Sequence, residues 1–290
     1  MKVLRARVLG FCMGVRRAVD MASAEAGRGG RIFTMGPLIH NPRVLDNLAK
    51  QGLVALDGDR LPADLSGAAV IIRAHGISPV LEAELGKRGA RIIDATCPRV
   101  KASQMKAASL SKEGRRIFLA GEDRHGEVIG IQGYAPGCVV TGSAEAAEAA
   151  AEKLFREEPG ARTALIGQTT ISAGEYRKIG EAIRGFFPDL LIVDTICGAV
   201  RDRQEALGEL LDSADAVIVA GGRESSNTRR LLAIAGRSGK PCALVEEAGE
   251  IPAGIPPGIL RCRTVGLCAG ASTPDGLIDE IEQALEAAGA

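Results

Sequence analysis

The 290-residue sequence has no tryptophan, and aromatic residues make up only 3% of it. Base-stacking surfaces need aromatic platforms, so none is expected here. An excess of one charge is also missing, since 36 Lys plus Arg face 36 Asp plus Glu. Binding to a phosphate backbone draws on a cationic surplus, so no nucleic-acid partner is expected. No apolar run reaches the roughly 18 residues of a membrane helix, so no membrane association is expected. The opening stretch MKVLRARVLGFCMG lacks the apolar core and small-residue cleavage site of a secretory signal. Seven cysteines is an odd number, and without an export signal a disulfide framework is not expected. The reading is a reduced, cytoplasmic protein. No Cys-x-x-Cys pair occurs, which removes zinc ribbons and ferredoxin-type cluster runs. Walker and G-x-G-x-x-G motifs are missing too, so nothing points to a nucleotide, flavin or nicotinamide cofactor.

What is present is alternation. Hydrophobic residues make up 46% and charged residues 25%, ordinary for a globular chain, and the length implies two or three compact lobes. Short β-type runs (VLRARVLGF, RIFTMG, AVIIRAHG, RIIDATC, RRIFLAG, CVVTGS, TALIGQTT, LLIVDTIC, AVIVAGG, CALVEE, RTVGLCAG) are separated by helical stretches. Helix candidates include Met105–Lys112, Ala144–Glu157, Glu175–Phe186, Gln204–Asp212 and Gly276–Ala288. This order predicts an α/β fold with mostly parallel strands.

One context recurs three times: an apolar strand, then Cys-x-x-Val-Arg/Lys, then a helix. The copies are GFCMGVRRAVDMA around Cys12, IIDATCPRVKASQ around Cys97 and LIVDTICGAVRDRQEA around Cys197. Asp94 and Asp194 stand three residues before the second and third cysteines. The cysteines lie 85 and 100 residues apart, about one small α/β lobe each. Three lobes would thus each present one cysteine where a strand ends and a helix begins. Ligands sit at that edge of α/β sheets, and a helix N-terminus favours the thiolate that binds metal. Cys12, Cys97 and Cys197 are therefore the candidate metal ligands, while Cys138, Cys242, Cys262 and Cys268 read as buried filler.

All three histidines, His40, His75 and His125, follow apolar runs. Other strand exits carry Gln168–Thr169–Thr170, Ser225–Ser226–Asn227 and Ala271–Ser272–Thr273. Hydroxyl and amide groups there cap helices, and in number they also suit an anion at helix N-termini. His125-Gly126-Glu127 is half of a zinc-deaminase signature without its P-C-x-x-C partner. Glu127 stays open as a proton donor, because burial raises a carboxyl pKa.

Nine stretches in order, GFCMGVRRAVD, IHNPRVLDNL, RAHGIS, DATCPRV, HGEVIG, GQTTIS, DTICGAVRDRQ, ESSNTRRL and AGASTPD, run from residue 10 to residue 275. Together they resemble the 4-hydroxy-3-methylbut-2-enyl diphosphate reductase family of the methylerythritol phosphate isoprenoid pathway. The resemblance implies three pseudo-equivalent α/β lobes around a central iron–sulfur cluster, here 14–96, 97–195, and 196–290 with 1–13. It implies one [4Fe–4S] cluster held by Cys12, Cys97 and Cys197, its fourth iron open to the substrate hydroxyl as a Lewis acid. By the same resemblance His40, His75, Ser225, Ser226, Asn227 and Ser272 hold the diphosphate. His125 and Thr169 surround the allylic hydroxyl, with Glu127 supplying protons. The implied reaction is a two-electron reductive dehydroxylation to isopentenyl and dimethylallyl diphosphate, with electrons from an external ferredoxin or flavodoxin.

Two positions depart from the family pattern. Val200 stands where a hydroxyl residue is common, which puts a hydrogen bond near Cys197 in doubt. Gly126 stands where Pro is common, which predicts a looser loop at Glu127. No RNA-binding extension is read after the C-terminal helix. The alternatives weighed are a hydro-lyase using the same open-iron cluster and a non-enzymatic iron–sulfur sensor.

Overall fold

The computed structural model describes residues 1–58 and 60–289. Twelve strands among these residues form three four-stranded sheets, and every pairing is parallel. In chain order the elements begin with β1 (Lys2–Arg5), α1 (Met13–Ala26), β2 (Ile32–Met35), α2 (Pro42–Lys50), β3 (Leu53–Leu56), β4 (Ala69–Ile72), α3 (Pro79–Lys87) and β5 (Arg91–Asp94). Next come α4 (Pro98–Lys112), β6 (Arg116–Ala120), α5 (Gly126–Tyr134), β7 (Val139–Thr141), α6 (Ala144–Glu157), β8 (Thr163–Gly167), α7 (Ala173–Arg184) and β9 (Leu191–Ile192). The remainder is α8 (Gly198–Ser213), β10 (Ala216–Ala220), α9 (Ser226–Arg237), β11 (Cys242–Val245), α10 (Pro257–Leu260), β12 (Thr264–Ala269) and α11 (Asp275–Ala288).

Contact density divides the chain into two compact units. One comprises Met1–Arg16, Ile39–Asn47 and Gly198–Ala290, and it contains the sheet β11-β10-β12-β1. The other comprises Arg17–Leu38 and Leu48–Cys197, and it contains the sheets β3-β2-β4-β5 and β7-β6-β8-β9. Counted from its first central strand, each sheet has the same order, second-first-third-fourth. In the first unit the fourth place is taken by the N-terminal strand β1, paired with β12. Each of the three cysteines follows the fourth strand of its sheet, so the repeat in the sequence is a repeat of topology.

Parallel strands covered by helices on both faces read as unbroken apolar runs. The central strands obey this, with β4 (AVII), β8 (TALIG) and β10 (AVIVA) buried throughout. Their cores include Ile72 and Leu85, Phe118 and Leu165, and Ile218 and Leu267. Among the described residues no helix is long and apolar enough to cross a membrane.

Three expectations change. The VLRARVLGF strand stops at Arg5, because the chain leaves the sheet and turns through Gly10 at φ +78°. The helices expected at Met105–Lys112 and Gln204–Asp212 start at Pro98 and Gly198, directly after Cys97 and Cys197, and at 98 the proline suits a first helical position. β3 (LVAL), outermost in its sheet and exposed at its two middle residues, was not among the expected strands.

Phe118, 1% exposed in the β6 core, gives a direct measure of packing. Phe118→Ala should cost about 3–5 kcal/mol, read as a lowered urea midpoint.

Candidate active site

The cysteines are placed by one repeated hydrogen bond. The amide N–H of Cys12 donates to Ala271 O at 3.1 Å, that of Cys97 to Ala74 O at 3.0 Å, and that of Cys197 to Thr169 O at 2.9 Å. Each acceptor stands two residues beyond the third strand of the same sheet, after β12, β4 and β8. Five residues beyond the first strand of each sheet stand His40, His125 and Ser225. Two residues further on, Glu127 and Asn227 occupy the same place in the first turns of α5 and α9.

In the first unit, α9 packs its first turn on the exit of β12, where a Cβ on Gly270 would collide with Thr228. Ser225 caps α9, accepting from Thr228 N, and Ser226 and Asn227 follow it, 2% and 4% exposed. Among the described residues neither the Oδ1 nor the Nδ2 of Asn227 has a hydrogen-bond partner, an arrangement that costs about 1–3 kcal/mol. The Ser272 hydroxyl donates to His40 O at 3.2 Å, and Gly222 lies against that same carbonyl. Asn41 caps α2 just beyond His40, accepting from Val44 N. Cys12, bonded to Ala271, is thus joined to Ser272 and His40.

The second unit brings together the other set. Cys97 is bonded to Ala74, the neighbour of His75, and the rings of His75 and His125 meet edge to face at 5.1 Å. Asp94 Oδ1 accepts from Thr96 N at 2.9 Å, and Arg17 donates to the carbonyls of Asp94 and Thr96, which shapes the approach to Cys97. Burial alone would raise the Asp94 carboxyl, but the Thr96 bonds and Lys101 at 3.2 Å outweigh it and hold the group below its usual range. His125 caps α5, its Nδ1 accepting from Glu127 N at 3.2 Å, so the neutral ring carries its proton on Nε2.

Glu127 is 1% exposed. Its Oε1 accepts from Thr169 N at 2.7 Å and its Oε2 from the Thr169 hydroxyl at 2.9 Å. Burial pushes its carboxyl up to about 7, with the Thr169 bonds opposing the rise. Thr169 therefore holds Glu127 through its donors and Cys197 through its carbonyl.

Donor chemistry suits a thiolate-bound anionic group. The helices that begin after the three cysteines, α1, α4 and α8, have no acidic residue in their first turns. By contrast α3, α6, α7 and α11 all do. Positive helix ends at the cysteines are thus left without a competing carboxylate. Of the four cysteines expected to be buried filler, only Cys268 is fully buried, and Cys138, Cys242 and Cys262 are half-buried. Burial pushes the Cys138 thiol up to about 11 and the Cys268 thiol up to about 12, while Cys242 and Cys262 pack against cores.

Three supporting residues escaped the sequence reading. Arg203, 3% exposed, donates to Ala199 O at 2.7 Å and to Gly10 O at 2.6 Å, tying the loop before Cys12 to the first turn of α8. Gln104 fills the space a Cβ would need at Gly76, next to His75, where φ is +71°. Arg73 explains Gly126: the backbone there suits any residue, but a Cβ would stand 2.6 Å from Arg73 Nη2 and 2.7 Å from Cζ. The first turn of α5 is thus packed against a guanidinium. Long-range contacts of this kind leave no local pattern; only the position of Arg203, six residues after Cys197, was a usable signal.

The family described as LytB protein matches residues 3–286. The chain belongs to the LytB protein family. A 4-hydroxy-3-methylbut-2-enyl diphosphate reductase of Treponema denticola is 44% identical over 98% of this chain and 99% of its own length. The solved E-1-hydroxy-2-methyl-but-2-enyl-4-diphosphate reductase of Plasmodium falciparum is 26% identical, with TM-score 0.88, covering 97% of this chain and 87% of that one. A structure described as (E)-4-hydroxy-3-methyl-but-2-enyl diphosphate reductase, the terminal enzyme of the non-mevalonate pathway, is 34% identical with TM-score 0.70, covering 99% and 100%. Family membership favours neither the hydro-lyase nor the sensor alternative.

Two outcomes follow from this geometry. Between its ordinary value of 4.5 and about 7, Glu127 keeps a proton in the folded chain that the unfolded chain has released. Stability should therefore fall as pH rises through that window, by up to about 3 kcal/mol, and Glu127→Gln should remove the slope, read from urea midpoints at pH 4.5 and 7.5. Gly126→Ala should cost less than about 1 kcal/mol in the urea midpoint, because the atoms in its way are the movable guanidinium end of Arg73, and Arg73→Ser in the same chain should change that cost little.

Proposed function

We propose that this chain performs the reductive dehydroxylation of 4-hydroxy-3-methylbut-2-enyl diphosphate to isopentenyl and dimethylallyl diphosphate, the last step of the methylerythritol phosphate route, in the cytoplasm. The observation that carries this reading is the Glu127–Thr169–Cys197 chain. A carboxyl able to hold a proton near neutral pH is bonded to a residue whose carbonyl positions a candidate ligand cysteine. In this reading Cys12, Cys97 and Cys197 hold one [4Fe–4S] cluster. When bound, that cluster would supply electrons and a Lewis-acidic iron.

The remaining work falls to the protein. Glu127 donates a proton from a carboxyl that Thr169 keeps in one orientation. His125, with its tautomer set by its own cap, and Thr169 hold the allylic hydroxyl end. Asn227 offers the diphosphate a buried amide without a partner among the described residues, beside Ser225, Ser226 and the N-terminus of α9. His40, His75 and Ser272 complete the anion site. The functional lobes are 14–96, 97–195 and 196–290 with 1–13, supported by one four-stranded sheet falling in each range. Electrons come from an external ferredoxin or flavodoxin.

Anaerobically prepared protein should hold about four iron and four sulfide per chain. Cys12→Ser, Cys97→Ser and Cys197→Ser should each lose iron, whereas Cys138→Ser should keep it. Glu127→Gln should retain iron and substrate binding while dithionite-driven turnover falls about 10²–10⁴-fold. Wild-type-like turnover in that variant would remove Glu127 from the proton path.

A further inference from the structure

Each cysteine is followed by a helix, and the three helices differ in charge. α1 carries two cations and two carboxylates, and α8 carries two cations against four carboxylates. α4 (PRVKASQMKAASLSK) carries four cations and no carboxylate, in a chain whose charges balance at 36 each. Exposed helices elsewhere pair their charges in the usual way, as with Arg156 and Glu152 on α6 or Arg177 and Glu181 on α7. On α4, Lys101 is neutralised by Asp94 at 3.2 Å. Arg99 and Lys106 are exposed, and no carboxylate among the described residues lies within ion-pair distance of either. Met105, 48% exposed, stands beside Lys106.

The other side of α4 is anchored, with Val100, Gln104, Ala107 and Leu110 buried. Its outward cations therefore ride on a rigid element. A concavity of about 190 Å³ runs between Arg99, Lys106 and the segment 193–196, which leads into Cys197. One carboxylate, Asp194, lines it, so the patch stays net cationic. At about 1.5 Å rise per residue, Arg99 stands about 3 Å and Lys106 about 13 Å along the helix from Cys97. A shallow concavity flanked by unpaired cations suits a weak, electrostatically steered encounter.

We propose that this face of α4 is the docking surface for a small acidic one-electron carrier protein that reduces the enzyme. The inference rests on the reading that Cys97 and Cys197 hold the redox group and that the chain itself holds no flavin or nicotinamide. Two successive dockings supply two electrons. With two protons these convert the substrate C–O bond into a C–H bond and release water, leaving two oxidised carriers.

The test uses holoprotein and photoreduced flavodoxin, a small acidic flavoprotein, with dithionite as the comparison reductant. Arg99→Glu with Lys106→Glu should raise the flavodoxin concentration for half-maximal rate at least tenfold and flatten its dependence on ionic strength. Dithionite-driven turnover and iron content should stay within twofold of wild type. Lys153→Glu with Arg156→Glu on α6 should leave flavodoxin saturation unchanged. Titration of oxidised flavodoxin, followed by flavin fluorescence, should show the same weakening for the α4 variant. An α4 variant that saturates and binds like wild type overturns the docking surface. If dithionite turnover is missing in wild type itself, the proposed reaction falls, and the titration still decides the surface. Should Arg99→Glu with Lys106→Glu lose iron, Arg99→Gln with Lys106→Gln takes its place, with a threefold or greater weakening expected and none overturning the proposal.

Discussion

A single backbone hydrogen bond, from each cysteine amide to the carbonyl two residues past a neighbouring strand, fixes the position of each of the three repeated cysteines. It ties Cys12 to Ala271, Cys97 to Ala74 and Cys197 to Thr169. The bond can form only because the strands run parallel. Parallel pairing puts the ends of the third and fourth strands of each sheet at the same edge, where the next helices start. From that constraint follow the helix N-termini at the cysteines, and the same strand exits carry His, Ser and Thr.

Holding Glu127 there sets two effects against each other. Burial disfavours its charge, while two bonds from Thr169 favour it, and burial is the larger. The result is a carboxyl poised near neutrality, in the range where a group can both hold and give up a proton. Thr169 cannot shift to strengthen its bonds to Glu127 without moving the carbonyl that holds Cys197. Arg73 against Gly126 steadies the same turn from the other side.

Much of this was readable in the residues. The Cys-x-x-Val-Arg/Lys repeat was legible because the same side chains recur, and the unbroken apolar runs of β4, β8 and β10 declared buried parallel strands. The equivalence of His40, His125 and Ser225 was hidden, because the residue types differ and the match appears only when counted from strand ends. Proline at position 98 masked the true start of α4, although proline is favoured at that one helical position. Arg203 and Arg73 act through contacts 193 and 53 residues away, at Gly10 and Gly126, which no local window contains.

Repetition and divergence do separate jobs in this fold. The repeat supplies one geometry at α5 and α9, where the residue five positions past the first strand caps the helix and the residue two positions further on lies in its first turn, while at α2 the cap is Asn41, one position beyond His40. Had the copies stayed alike, each would offer the same cap and the same first turn. They instead place a histidine and a glutamate on α5 but a serine and an asparagine on α9. A titratable pair suits proton transfer, whereas a neutral hydroxyl and amide pair suits an anion that must keep its charge. The charge of the helices diverges on the same principle. Because the cysteine corners are equivalent in geometry, what distinguishes α4 from α1 and α8 is carried by its solvent-facing side chains, which the core does not constrain and which remain open to selection by a partner.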